Sequence, residues 1–384
     1  MSVKDEAPLQ EYRRKRDPER TPEPVPAEGG DALPQGNNDT FVIQEHHARA
    51  LHWDFRLERD GVLVSWAVPK GLPEHPKDNH LAVHTEDHPL EYASFAGDIP
   101  AGEYGGGRVV LWDQGRYETE KWSDREVMVV LHGQRAQGRY VLFRTGKGGR
   151  DWMIHRMDPP RRADWERLPE SVEPMLATNG RLPSRTKDAD WAYEFDWDGV
   201  RAIAYVDGGR LRLAASAAGQ ADADLTRAFP ELRDLGASLG STPVVLDGEL
   251  VALGGDGRPD RTRLQRRMEA GGPDVAAAKA RRQAQQLPVT FLIADLLYLD
   301  GRMLLDQPFQ TRRALLDGLD LSGPAWRVAP SFPGGGRGVR AAAAENGMPG
   351  IVAKRLQSPY RPGERSPDWR RVPVPKSGRA NRGS

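Results

Sequence analysis

The sequence predicts two domains of different class: a small closed β-barrel, then a mixed α/β (α+β) domain. Two observations carry this. Between Phe41 and Met157, short strand-like runs follow one another with turn residues between them and little helical pattern. From Met175 onward, strand-like runs alternate with longer helical ones. The segment "DPPRRADWERLPESVEP", residues 158–174, has neither period and reads as a linker. At 384 residues the chain is long enough for each domain to bury its own core.

Residues 1–40 are charged and rich in Pro and Gly, so they are expected to form a flexible arm, largely disordered alone. The barrel, residues 41–157, is expected to use "FVIQ", "LHWDFRLE", "GVLVSWAV", "HLAVHTE", "GRVVLWDQG", "GRYETEKW", "EVMVVLHG", "GRYVLFRTG" and "DWMIHRM". The second domain, residues 175–374, is expected to place strands at 191–206, 209–214, 243–253, 289–298 and 350–356. Its helices are expected at 222–236, 261–285 and 309–319, the second including the exposed, alanine- and arginine-rich "DVAAAKARRQAQQ". "PGGGRGVRAAAAENG" lacks the Gly-Lys-Ser/Thr ending of a phosphate loop and reads as a turn entering a helix. From Lys354 to Ser384, nine Lys/Arg oppose two acids, which makes this end basic. It reads either as a solvated, frayed end or as a phosphate-backbone contact, with 375–384 a disordered tail.

Lys plus Arg equal Asp plus Glu at 55 each, which excludes a globally basic protein but not local basic patches. The absence of cysteine excludes disulfides, zinc ribbons and thiol catalysis and suits a reducing compartment. The start, "MSVKDEAPLQEYRRKRDPER", has no apolar signal-peptide core, and no run approaches the ~20 apolar residues of a membrane span. The expectation is a soluble, cytoplasmic, nucleoid-associated protein with no membrane partner.

Seven of nine histidines fall between His46 and His88, beside Asp54, Glu86 and Asp87, which favours a metal or phosphate site over scattered surface imidazoles. In "LHWDFRLE", Trp53, Phe55 and Leu57 alternate with His52, Asp54, Arg56 and Glu58. The first set faces a core, and the second presents an imidazole, a carboxylate and a guanidinium on the other face. With His46 just upstream, His52 and Asp54 form a three-point ligand set with open positions, suited to Mn²⁺, Zn²⁺ or Fe²⁺. Arg56 adds a fork that matches a phosphate, a combination fitted to phosphoryl chemistry. In "WAYEFDWDGVRAIAYV", read as one strand, Glu194, Asp196 and Asp198 share a face. Either they hold a cation or they remain from a site whose positive member is gone.

"FVIQEHHARALHWDFRLERDGVLVSWAVPKG", followed by "LAVHTEDHPLEYASFAGDIPAGEYGGGRVVLWDQG", resembles the 3′-phosphoesterase domain of bacterial ligase D proteins over roughly residues 10–157. The resemblance implies metal ligands at His46, His52 and Asp54 and phosphate contacts at Arg56 and His88, supported by Lys70 and Tyr92. It also implies a role in activity for the arm, at Arg16, Asp17 and Glu23. One departure is His80, where the family usually has an arginine; imidazole donates a hydrogen bond but is mostly neutral at pH 7. The implied activity is Mn²⁺-dependent trimming of DNA 3′ ends, with other divalent cations compatible. On a primer–template it removes a terminal ribonucleoside, then converts the 3′-phosphate to a 3′-hydroxyl.

From "PMLAT" to Val374 the chain resembles the nucleotidyltransferase domain of ATP-dependent DNA ligases. "YEFDWDGVR", ending at Arg201, aligns with the family's first motif, whose nucleophilic lysine falls on Asp196. A carboxylate forms no comparable adduct, and at ~4 Å it repels a phosphate by about 4 kcal/mol near a surface. "VVLDGELVAL" keeps Asp247 and Glu249, and "GIVAKRLQSPYRPGERS" keeps Lys354. Ala217 stands where the family has an arginine, Pro349 where it has a glutamate, and Arg371 and Pro373 where it has two lysines. These losses weigh against ATP as a cofactor and against sealing, with Lys187 and Lys354 the nearby substitutes for the nucleophile. No oligonucleotide-binding barrel is expected after this domain. The implied whole is a 3′-end-processing enzyme of non-homologous end joining, whose ligase-like half binds DNA or serves as scaffold. Its implied partners are DNA 3′ ends and other end-joining proteins such as Ku, a ligase or a polymerase. The alternatives are ATP-dependent DNA ligase activity and a non-enzymatic adaptor that binds DNA ends.

Overall fold

The structure, a computed structural model, describes residues 9–26, 36–145, 149–215, 223–270 and 275–374. The chain divides into two compact units, Met1–Trp165 and Glu166–Ser384, the division falling inside the segment 158–174.

The first unit contains the helical turn α1 (Gln10–Arg14) and the strands β1 (Thr40–His47), β2 (Leu51–Arg59), β3 (Val62–Val68), β4 (Asn79–His84), β5 (His88–Pro89), β6 (Gly97–Ile99), β7 (Gly107–Trp122), β8 (Glu126–His132), β9 (Gln137–Arg144) and β10 (Asp151–Arg156). Eight of them run β1-β2-β3-β4-β10-β9-β8-β7, and β7 pairs back onto β1, which closes the barrel. The short β5 and β6 attach to β3 and β7. Asp60 and Gly61, both at positive φ, make the two-residue turn that joins β2 to β3. Trp53, Phe55 and Leu57 point inward with Trp66, Val129, Leu142 and Ile154, as the alternation predicts.

The opposite face of β1 and the start of β3 is also covered. Leu9, Tyr12, Val42, Leu63 and Tyr92 form a second apolar cluster outside the barrel wall. Residues 9–26, expected to be disordered, are therefore folded back, because buried Leu9 and Tyr12 anchor them and the Tyr12 hydroxyl donates to the Pro24 carbonyl at 2.9 Å. Residues 1–8 and 27–35 lie outside the described residues. "GRVVLWDQG" and "GRYETEKW" are one strand, β7, rather than two. Gly115 is no turn: a Cβ there would meet the His132 carbonyl oxygen at 2.4 Å, so it serves close approach of β8.

The second unit contains β11 (Leu176–Asn179), β12 (Trp191–Asp196), β13 (Val200–Asp207), β14 (Arg210–Ala215), β15 (Ala223–Asp224), α2 (Arg233–Ser238), β16 (Val244–Ala252), α3 (Arg261–Ala270), α4 (Ala277–Gln286), β17 (Val289–Leu299), β18 (Arg302–Met303), α5 (Phe309–Gly318), β19 (Trp326–Val328), β20 (Ser331–Pro333), α6 (Gly336–Glu345), β21 (Gly350–Arg355) and β22 (Arg365–Pro373). One sheet runs β11-β22-β21-β12-β20 and the other β15-β14-β13-β16-β17-β18, with β19 on β17.

Several expectations are corrected here. The strand expected over 191–206 breaks at Trp197–Gly199, where Asp198 takes φ +51°, so β12 joins one sheet and β13 the other. The helix expected over 222–236 is instead β15, a 3₁₀ turn and the short α2, because Pro230 fixes a new start. The helix expected over 261–285 is α3 and α4, divided at "GGPD", residues 271–274, which lie outside the described residues. Much of the basic end is no frayed tail, since β22 pairs with both β11 and β21. Residues 375–384 and Ala217 lie outside the described residues. No described helix is long and apolar enough to cross a membrane.

Candidate functional site

The register of β1 against β2 sets the site. His46 lies opposite His52, Gln44 opposite Asp54 and Val42 opposite Arg56. The polar face predicted from alternation thus gathers His46, His52 and Asp54, whose ligand-type atoms all lie within 4.8 Å of one another. His46 Nδ1 is 3.5 Å and His52 Nε2 3.6 Å from the Asp54 carboxylate. The far nitrogens face backbone carbonyls: His46 Nε2 is 2.8 Å from Gly105 O and His52 Nδ1 is 3.0 Å from Ala50 O. A neutral imidazole has one N–H. Donating it to the carbonyl turns the lone pair of each ring toward Asp54. Two nitrogen lone pairs and a carboxylate then converge with no proton between them. That donor set fits a divalent cation, and the carbonyls supply the outer hydrogen bonds that orient ligand histidines.

Arg56, 2% exposed, stands beside it. Its Nε donates to Gln44 Oε1 at 2.8 Å, Nη1 to Ser65 Oγ at 2.8 Å and Nη2 to Asp54 Oδ2 at 3.0 Å. Gln44 is itself fixed, its Nε2 donating to the carbonyls of Tyr92 and Phe95. Burial opposes the charge of Asp54, but the buried Arg56 guanidinium beside it holds its carboxyl well below the ordinary range. His88 is buried between Arg56 and Arg16, and burial first, then those two cations, push its imidazole far down. His88 is therefore neutral near pH 7. Its Nδ1 faces the Glu86 carbonyl at 2.8 Å, which leaves Nε2 as an acceptor 3.4 Å from Arg16 Nη2.

The arm completes the wall. Arg16 donates to Glu23 at 2.9 Å and to Glu86 at 3.1 Å, and Tyr92 OH donates to Glu23 at 3.0 Å. Lys15 Nζ reaches Glu86 at 2.9 Å and the Tyr104 hydroxyl at 3.1 Å. Together these residues line an open cleft of about 200 Å³ that includes Arg16, Glu23, His46, His52, Asp54, Arg56, Glu86, His88, Tyr92 and Tyr104. Two expected members are elsewhere. Lys70 is exposed and does not line the cleft. Asp17 is exposed and its carboxylate accepts from the Glu19 N–H at 3.0 Å, capping the arm's turn. His80 also lies off the lining, its Nδ1 2.8 Å from Gly71 O. Sequence reasoning missed Gln44, Ser65, Lys15, Tyr12 and Tyr104. Gln44 alone carried a signal, a polar residue on the same strand face as His46.

In the second unit the three acids are each paired. Glu194 meets Lys354 Nζ at 2.9 Å, Asp196 accepts from Arg371 Nε, and Asp198 meets Arg261 at 2.7 Å and Arg371 at 3.7 Å. No strand face unites them, because Asp198 sits in the break after β12. Lys354 is 1% exposed, lies over the rings of Trp369 and Phe309 and donates to Ala294 O. Lys187 is exposed on a 3₁₀ turn. Asp247, fully buried, accepts from Arg201 and, at 2.7 Å, from Tyr360 OH. Glu249 accepts from the Gly199 N–H, and burial first, then the nearby Asp196, raise its carboxyl, Arg201 opposing.

Residues 44–144 match the DNA Ligase D 3′-phosphoesterase domain, and residues 174–372 match the ATP dependent DNA ligase domain. The multifunctional non-homologous end joining protein LigD of Mycobacterium bovis is 45% identical over 366 residues, covering 94% of this chain and 44% of that protein. LigD of Pseudomonas aeruginosa is 33% identical over 417 residues, covering 94% and 46%. A solved structure described as mycobacterial DNA ligase D complexed with ATP and MES aligns over 53% of this chain and 60% of that one, at 37% identity and a TM-score of 0.43. The chain spans less than half the length of the two LigD relatives.

Proposed function

Because this chain belongs to the ATP-dependent DNA ligase family and carries a ligase D 3′-phosphoesterase domain ahead of that part, we propose that its first unit is a divalent-metal phosphoesterase acting on DNA 3′ ends during end joining. The observation that carries this is the convergence of the ligand-type atoms of His46, His52 and Asp54 beside an Arg56 held by three side-chain hydrogen bonds in one cleft. Those three residues would hold the cation, with Mn²⁺ the expected one, and when bound it supplies a Lewis acid for a phosphoryl oxygen. Arg56 stands with its planar face fixed by Gln44, Ser65 and Asp54, so it meets developing phosphate charge without reorganising. His88, held neutral, accepts a hydrogen bond at Nε2, which favours positioning or proton acceptance over donation to a leaving oxygen. Lys70, Asp17 and His80 are proposed to act from outside the cleft lining.

The second unit is proposed not to seal DNA and instead to grip it or serve as a scaffold, beside other end-joining proteins on the nucleoid. Asp196 in place of the nucleophile, and Lys354 sealed against Glu194, support this.

The test is a primer–template with one 3′-terminal ribonucleotide, labelled at its 5′ end, incubated with and without Mn²⁺ and with His52→Ala. Metal-dependent shortening to a 3′-phosphate and then a 3′-hydroxyl, absent in the variant, is expected. An unchanged primer under all conditions overturns the reading. With α-labelled ATP no covalent AMP band is expected; a band lost in Lys354→Ala would establish a working nucleotidyltransferase.

A further inference from the structure

The cleft has two tyrosines on its lining, and they are in different states. Tyr92 is 2% exposed and its hydroxyl is committed to Glu23. Tyr104 is 47% exposed at the mouth. A single exposed aromatic is ordinary on a protein surface. Three features separate this one from that case.

The first is position. Tyr104 immediately precedes Gly105, whose carbonyl oxygen faces His46 Nε2, so the ring stands next to the ligand triad. The second is rigidity. The loop that carries it is closed by Glu103 N–H to Pro100 O at 3.2 Å and Gly106 N–H to Glu103 O at 3.1 Å. Glu103 is tied to Arg20 of the arm at 2.6 Å. The third is charge. Lys15 Nζ lies over the ring at 4.6 Å and the Arg16 guanidinium at 5.4 Å from its centroid, so cations sit against part of the ring while the rest is exposed at the mouth. An exposed aromatic ring at the mouth of a polar cleft that holds Arg56 matches a nucleotide: base on the ring, phosphate in the cleft.

We propose that Tyr104 is a positioning residue that stacks on the nucleobase of the 3′-terminal nucleotide while its phosphate lies against Arg56. This rests on the 3′-end-processing reading. Every base has a π-face, so the contact tolerates any sequence. It selects for an end that carries a base, and against one that does not. Base stacking of about 1–3 kcal/mol corresponds to roughly five- to hundredfold in affinity.

The experiment uses the full chain and a primer–template whose 3′-phosphorylated terminal nucleotide is 2-aminopurine, with EDTA present so that nothing turns over. Binding to the wild-type protein should quench 2-aminopurine fluorescence. Tyr104→Ala should bind roughly five- to hundredfold more weakly without quenching at saturation, while Tyr104→Trp should quench as the wild type does. Unchanged quenching in Tyr104→Ala overturns the proposal. With Mn²⁺, kcat/KM is then compared between ordinary and abasic 3′-phosphorylated ends. The wild type should prefer the ordinary end by a similar factor, and Tyr104→Ala should treat both alike. Equal loss on both ends in Tyr104→Ala would mark a structural role and overturn the proposal. Quenching by a wild-type protein that processes neither end would sink the end-processing reading and leave the stacking intact.

Discussion

Replacing Arg56 by lysine keeps the charge and removes the fork, which makes it a direct test of how the first unit's site is held. Arg56 makes three side-chain hydrogen bonds, to Gln44, Ser65 and Asp54. A lysine ammonium at best retains the one to Asp54. Ser65 keeps another partner, since its hydroxyl donates to Leu63 O at 2.8 Å. Gln44 has no such relief. Its amide cannot turn over, because Nε2 is held by the carbonyls of Tyr92 and Phe95 at 3.1 and 2.9 Å. Its Oε1 would be left buried and unpaired, at a cost of about 1–3 kcal/mol. The lost contact of the guanidinium over the Tyr92 ring, 4.8 Å from its centroid, adds about 0.5–1 kcal/mol. Arg56→Lys should therefore destabilise the first unit by about 2–4 kcal/mol, a fall of roughly 5–15 °C in its melting temperature. Removing the fixed fork should also lower kcat for 3′-phosphate removal by about 10²–10³. Calorimetry and single-turnover kinetics measure the two. A variant within 0.5 kcal/mol of the wild type and threefold of its rate would refute the reading of Arg56 as a pre-set clamp.

Tyr12→Ala empties a fully buried position and removes the hydroxyl bond to Pro24, so the arm should detach locally. Trypsin should then cut after Arg13, Arg14, Lys15 or Arg16 much faster than in the wild type, with the barrel's own melting little changed. Half-buried Asp87 is pushed up to about 6, by burial first and then by the nearby Glu86 and Glu11. A raised carboxyl carries a cost that is full above pH 6 and fades as pH falls toward the ordinary value near 4. Asp87→Asn should therefore stabilise the first unit at pH 7.5 by at most about 3 kcal/mol, with the gain vanishing by pH 4 in paired melting curves. Arg371→Ala leaves Asp196 unpaired, and Asp196→Asn should restore part of the loss. A double-mutant cycle should give a coupling of about 0.5–1.5 kcal/mol, modest because Arg371 is half-exposed.

The barrel was legible because each of its strands has one face in a common core, which writes a period of two into the sequence. The same period put His52, Asp54 and Arg56 on one face, and β1–β2 register brought His46 to them. The arm was not legible. Its composition is that of a disordered segment, and its order comes from a few anchors with distant partners, such as Arg16 with Glu86, 70 residues away. Composition cannot register such pairs. The break at Asp198 was signalled by Asp198-Gly199, a turn dipeptide overridden by the apolar residues around it. Strand β22 was hidden by Pro367 and its arginines. Proline is tolerated there because pairing with β11 shifts between Ser366 and Arg370, stepping past it.

The charges around Asp196 bear on what the second unit has kept. Asp196 is 6% exposed, with Glu194 and Glu249 nearby. A carboxylate placed there without compensation would be a buried, unpaired charge, worth several kcal/mol against folding. Arg371 meets it, from the position where the ligase resemblance places a lysine, and its fork spans to Asp198 as well. Lys354 and Glu194 neutralise one another, and Asp247 is shared by Arg201 and Tyr360. Glu194, Asp196, Asp198 and Asp247 thus each have a cation or a hydroxyl of the chain itself as partner, while Glu249, whose carboxyl is raised by burial and by Asp196, is the least compensated acid of the group. The site is thus held together by ion pairs within the chain, with Glu249 as the one acid whose charge burial still opposes.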